Sequence, residues 1–165
     1  MGSINKTYDE RNPKGMINIS EAKAKEFYES KNVFVKKFGF DETDPIPTEL
    51  FWKIPEIIRN MPDHIIITKS WCYLLEVKGC RDSVHFKDCD MESYGFWNKI
   101  CPIVFFIYSF EYQLNYRIKF DDVEKLISEG LCSDGVYPDN KKPYKAIKVK
   151  HLTLKGDSSF YERHR

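Results

Sequence analysis

Between Met61 and Gly79 the chain reads MPDHIIITKSWCYLLEVKG, and this run leaves little local freedom. Ile65–Thr68 and Trp71–Lys78 are two runs rich in β-formers, separated by Lys69-Ser70, the spacing of a two-residue hairpin loop. Counted outward from that loop, Thr68 faces Trp71, and the pairing continues until Asp63 stands opposite Glu76. Side chains opposed in this way on antiparallel strands have Cβ atoms about 4.5–5.5 Å apart. Two carboxylates so placed repel each other and weaken the sheet unless something positive lies between them. A hard divalent cation fits, because Mg²⁺ takes one or two carboxylates and completes its octahedron with water and phosphate oxygens. Lys78, two residues past Glu76, points to the same face of its strand. Two acidic ligands and one ammonium on one strand-end surface are equipment for hydrolysing a phosphodiester.

The rest of the chain builds around this hairpin. Residues 1–17 are polar, contain Pro13 and Gly15, and read as a flexible N-terminal arm, which leaves 18–165 as a single domain. Ser20 is placed to cap a helix over Glu21–Ser30, with Ala24, Phe27 and Tyr28 as its apolar stripe. Val33–Phe40 reads as a strand. Asp44-Pro45-Ile46-Pro47 is a loop, since each proline pushes its predecessor out of the helical region. Thr48–Asn60 has helical character, with Pro55 kinking it or beginning a second short turn.

After the hairpin, Gly79–Ser83 turns the chain. Phe86–Lys99 then carries Met91, Tyr94 and Trp97 at helical spacing. Ile103–Tyr108 is wholly apolar or aromatic and reads as a buried strand. Strand, helix and strand make a βαβ unit with parallel strands. Tyr112–Phe120 suggests another strand, and Asp121 or Asp122 a capped helix ending before Gly130. Lys145–Leu154 suggests a last strand at a lysine-protected edge. The expected class is α/β: one domain with a mixed central β-sheet flanked by helices.

Composition sets limits on function. A chain of 165 residues suits one core. It holds no apolar run long enough for a transmembrane helix and no apolar segment of a secretory signal near its start. Five cysteines, an odd number without a CxxC pair, speak against a zinc site or a disulfide framework and for a reducing cytoplasm. The formal net charge is only +1. Its distribution is uneven: Lys141, Lys142, Lys145, Lys148 and Lys150 crowd residues 139–150, whereas Asp41, Glu42, Asp44 and Glu49 crowd an earlier loop.

Pro62-Asp63, twelve intervening residues and then Glu76-Val77-Lys78 resemble the core motif of the PD-(D/E)xK nuclease superfamily, which includes restriction enzymes and Holliday-junction resolvases. The resemblance implies a restriction-endonuclease-like αβββαβ core. It also implies a Mg²⁺-dependent endonuclease or exonuclease, with Mn²⁺ as substitute, acting on nucleic acid, DNA before RNA, without a membrane. Asp63, Glu76 and the Val77 backbone carbonyl would hold the metal. Lys78 would lie beside the attacking water and the scissile phosphate. Glu21 or Glu26 of the first helix would supply an additional acidic residue. Lys87, Tyr94 and Asn98 are candidate polar contributors from the helix after the motif, with Lys87 the candidate phosphate contact. Lys141, Lys142, Lys145 and Lys148, with Tyr137 and Tyr144, suggest a nucleic-acid-binding strip. His64 points away from the proposed site, and His85 lies near its mouth. A junction-cutting relative acts as a homodimer, because two cuts need two sites. Two alternatives stay open: a nuclease-fold protein that only binds nucleic acid, and a small interaction domain whose charged hairpin is merely solvated.

Overall fold

The computed structural model describes residues 16–37 and 46–155, with the backbone alone at 16–18 and 153–155. The expected arm over 1–15, and the parts of the expected strand and acidic loop within 38–45, lie outside the described residues. In chain order the elements are α1 (Met16–Ser30), β1 (Phe34–Lys37), α2 (Thr48–Phe51), α3 (Glu56–Arg59), β2 (His64–Ile67), β3 (Cys72–Cys80) and β4 (Ser83–Lys87). Then follow α4 (Asp88–Asn98), β5 (Ile103–Ser109), β6 (Leu114–Lys119), α5 (Phe120–Ser128), β7 (Ser133–Val136), β8 (Pro143–Lys148) and α6 (Val149–Lys155).

A five-stranded sheet runs β1-β2-β3-β5-β6, and only its β3–β5 pair is parallel. Every residue of β5 is buried. That follows from its place: strands flank it on both sides and side chains cover both faces. On one face, Ile66, Leu75, Val104 and Phe106 pack against Ala24 and Tyr28 of α1. On the other, Leu74, Phe105 and Ile107 pack with Phe86, Tyr94, Leu126 and Ile147. Phe105 meets Phe86 edge-on at 5.0 Å and Tyr94 at 5.6 Å between ring centres. Each such fully buried side chain contributes about 1.5–3 kcal/mol relative to exposure.

The hairpin takes the register counted from the loop, with His64 opposite Leu75 and Ile67 opposite Cys72. Thr68 closes the turn: its amide donates to the Trp71 carbonyl at 2.8 Å, and its hydroxyl accepts from the Trp71 amide at 2.8 Å. Pro55 begins a second helix rather than kinking one, so α2 and α3 are separate single turns.

Several expectations are corrected. Helix α1 begins at Met16, so Ser20 lies inside it, buried, and is no cap; residues 16 and 17 belong to the helix and not to an arm. The stretch Ser83–Lys87 is a strand, because Val84 and Phe86 alternate with exposed or half-buried neighbours in period two. The helix therefore starts at Asp88, not Phe86. Helix α5 has no side-chain cap at its start. Asp121 instead accepts a hydrogen bond from Asn98 Nδ2 at 2.9 Å, while Asn98 Oδ1 accepts from the Ile103 amide at 2.9 Å. Asn98 thus ties the end of α4 to β5 and α5.

The last strand is not at an edge. β8 is the middle strand of a second sheet, β4-β8-β7, and the chain leaves it as helix α6 at Val149. Val84, Phe86 and Ile147 dock this small sheet onto the main one. Among the described residues no helix is long and apolar enough to cross a membrane.

Candidate active site

The hairpin register has a chemical consequence at its open end. One step beyond the His64–Leu75 pair come Asp63, just before β2, and Glu76 within β3. Alternation along β3 sends Leu74, Glu76 and Lys78 to the face covered by α4 and the small sheet. Glu76 is a buried carboxylate at 9% exposure, and the Lys78 ammonium lies 3.2 Å from its Oε1. That ammonium also sits 5.8 Å from the centre of the Tyr94 ring and 5.9 Å from that of Phe86. The lysine stem therefore runs through an aromatic slot and its charged head emerges among carboxylates.

The electrostatics follow from this crowding. The Asp63 carboxyl is pushed up to about 7, first by loss of hydration and then by the negative charge of Glu76, with Lys37 and Lys78 pulling the other way. Asp63 is exposed as a residue, so solvent reaches one flank of it while the other faces the protein. Burial alone would lower the Lys78 pKa, but Glu76 and then Asp90, with the hydrogen bond to Glu76 and the Asp63 charge, more than offset it and leave it raised. Lys78 is thus a fixed positive charge at neutral pH.

Tyr94 stands at helical spacing with Met91 and Trp97 and is one of the candidate polar contributors from α4. It is buried at 3% exposure, and its hydroxyl is also hydrogen-bonded to Glu76. Burial and then the Glu76 charge hold the phenol well above its ordinary pKa, so it donates. The helical stripe Met91-Tyr94-Trp97 marked it as inward-facing. Only the packing of α4 against β3 decides that its polar tip meets a carboxylate.

The candidate metal ligands fit a hard cation. Asp63 and Glu76 share one face and repel each other, which is the condition a divalent ion relieves. The Val77 side chain packs against the α1-side core. Among the described residues no cluster of three or more His, Cys, Asp or Glu side chains is arranged to hold a metal. A cation here would rest on two carboxylates and backbone or water oxygens.

Glu21 of α1 lies at the same end of the sheet. Its carboxylate pairs with Lys37 at 3.2 Å, and its charge contributes to raising Asp63. Glu26 pairs instead with Lys23 at 3.1 Å on the exposed side of the helix. His64 is buried on the opposite face from Glu76, and burial lowers its pKa.

Lys87 ends β4, next to Phe86, with its ammonium 3.8 Å from Asp90 and 5.9 Å from the Tyr137 ring centre. The tail lysines do not form one strip. Lys145 pairs with Asp134, Lys148 points to the other face of β8, Lys142 reaches 3.9 Å from Cys89 Sγ, and Lys141 sits in an exposed turn at φ 56°.

No protein-family description and no curated protein matches the sequence. Solved structures do match the fold. One is the Holliday junction resolvase Hjc of Archaeoglobus fulgidus, with TM-score 0.54, 8% identity, and coverage of 87% of this chain and 92% of that one. Another is D212, a nuclease from a fusselovirus, with TM-score 0.51, 8% identity, and coverage of 94% and 90% respectively. The chain shares the fold of these two proteins, a mixed α/β domain with a central sheet flanked by helices. β4, which intervenes between the motif strand and α4, pairs outside the main sheet.

Proposed function

We propose that this chain is a divalent-metal-dependent nuclease that hydrolyses phosphodiester bonds, in DNA in preference to RNA. The observation that carries this reading is the convergence of Asp63, Glu76 and Lys78 on one face at the end of the hairpin. Asp63, Glu76 and the Val77 carbonyl would hold Mg²⁺, or Mn²⁺ in its place, with Glu21 as an additional acidic residue. The ion, when bound, lowers the pKa of a coordinated water and neutralises phosphate charge.

The chain's own residues supply the remainder. Tyr94 donates to Glu76 and fixes its carboxylate, while the Glu76 charge and the aromatic slot fix Lys78. The Lys78 ammonium orients the attacking water and stabilises negative charge on the oxygens of the reacting phosphate. Asp63 shares its proton with solvent near neutral pH, so a cation displaces that proton at modest cost. Lys87, next to the site, meets a phosphate of the substrate; Lys141, Lys142 and Lys148 make weaker, salt-sensitive contacts. On a branched substrate the chain works as a homodimer. Five free thiols fit a reducing cytoplasm.

A second reading, a nuclease-fold protein that binds nucleic acid without cutting it, draws on the absence of a three-ligand cluster among the described residues. One experiment separates the two. Duplex, single-stranded, branched and flapped DNA, and RNA, are incubated with the full chain in Mn²⁺, Mg²⁺ or EDTA. Cleavage that needs metal and is lost in Asp63→Asn and Glu76→Gln supports the nuclease. Binding without cleavage in any metal supports the second reading.

A further inference from the structure

The outer face of the small sheet has a composition that packing does not explain. Antiparallel pairing places His85 beside Ala146, Lys87 beside Tyr144 and Ser83 beside Lys148. The same face continues onto β7 through Ser133 and Gly135. No acidic residue occupies any of these positions, although the chain as a whole is nearly neutral. The inward-facing partners Val84, Phe86 and Ile147 do the docking.

Three rings gather on this outer face. The His85 imidazole lies parallel to the Tyr144 ring, at 4.1 Å between centres and 13° between planes. Tyr137 closes against both, 4.5 Å from Tyr144 and 5.9 Å from His85. Gly135 makes room for this arrangement: a Cβ there would fall 2.3 Å from Tyr144 Cζ. The Tyr144 ring therefore lies flat across β7, and His85, an exposed residue, is the outermost plate. The cluster also adjoins the catalytic face. Lys87 sits 5.9 Å from the Tyr137 ring centre, and its chain neighbour Phe86 lines the Lys78 slot.

We infer that this face is a stacking platform for an unpaired nucleobase, so that the substrate presents a single-stranded nucleotide beside the bond to be cut. Paired bases in a duplex hide their faces, whereas an unpaired base stacks on a ring plate regardless of its identity. Lys87 and Lys148 on the same face supply the charge that holds the backbone. Partial burial lowers the His85 pKa, so the plate is an uncharged imidazole at neutral pH. The inference rests on the nuclease reading for the word substrate, but its test does not.

The test is a binding titration of the full chain, in EDTA, against short single-stranded DNA oligonucleotides each carrying one abasic site, with a matching RNA series. In the parent, removing the base at one position weakens binding about tenfold or more, the scale of a lost base–aromatic stack. In His85→Ala that position loses its distinction from the others. In His85→Phe, which keeps a ring, the distinction remains. No binding to single strands, no sensitive position, or equal sensitivity in parent and His85→Ala overturns the platform. Duplex cleavage in Mn²⁺, measured alongside, reports on the nuclease reading by itself.

Discussion

Asp63→Asn offers a test of the site that needs no substrate. The carboxyl stands at about 7 in the folded chain against an ordinary 3.8, so folding favours its protonated form. Stability contributed by such a group is whole below about pH 4, where both states hold the proton, and is lost as pH rises through about 7. Each pKa unit corresponds to about 1.36 kcal/mol, so the full shift would amount to about 4 kcal/mol. Asp63 is exposed on one flank, and solvent screening reduces this to about 1–2 kcal/mol. Asparagine cannot ionise. In metal-free buffer the variant should match the parent near pH 4, gain on it as pH rises, and exceed it by that amount at pH 8. Urea unfolding in EDTA across this range measures the difference. Mg²⁺ or Mn²⁺ should then reverse the order, since a ligand at a hundred times its Kd stabilises the parent by about 2.7 kcal/mol. A variant less stable than the parent at every pH would refute the reasoning. It would make Asp63 a turn-forming residue after Pro62 and remove the crowding on which the proposed metal site depends.

Other outcomes can be stated briefly. Lys78→Met should lower the single-turnover cleavage rate about 10²–10³-fold while leaving substrate affinity nearly intact, because an interaction made in the transition state moves kcat and kcat/KM together; an unchanged rate would make Lys78 a structural partner of Glu76 and not a catalytic group. Tyr94→Phe keeps the packing but removes a hydrogen bond to a charged group, so it should cost about 1.5–3 kcal/mol in unfolding experiments and lower kcat more than it changes KM. Neutralising Lys141 and Lys148 together should weaken binding and flatten its salt dependence, with little effect on the saturated rate. Phe105→Ala should cost about 3–5 kcal/mol in urea unfolding, since its ring is fully buried between Phe86 and Tyr94.

Three parts of this protein are determined by the sequence by itself. The hairpin register follows from the two-residue loop, because pairing outward from a tight turn is a matter of counting. That count places Asp63 and Glu76 together. The burial of Ile103–Tyr108 follows from an unbroken apolar run, and its parallel pairing with β3 from the helix between them. Period and spacing are local properties, and these elements obey them.

What only the tertiary structure decides involves partners distant along the chain. Phe86 and Lys87 read as the start of the following helix because Phe86 suits either period; pairing with β8 settles Ser83–Lys87 as a strand. Pro143–Lys148 has lysines suited to an edge, yet β4 and β7 enclose it on both sides. Ser20 has the chemistry of a cap but is buried inside α1, which starts four residues earlier. Tyr94 looked like one of a core stripe, and it is one, but the hydroxyl at its tip reaches Glu76. The ring stack of His85, Tyr137 and Tyr144 joins three segments separated along the chain, and Gly135 permits it only because of where the Tyr144 ring falls. Such contacts carry no local period: a side chain's role is fixed by whichever surface the folded chain brings against it.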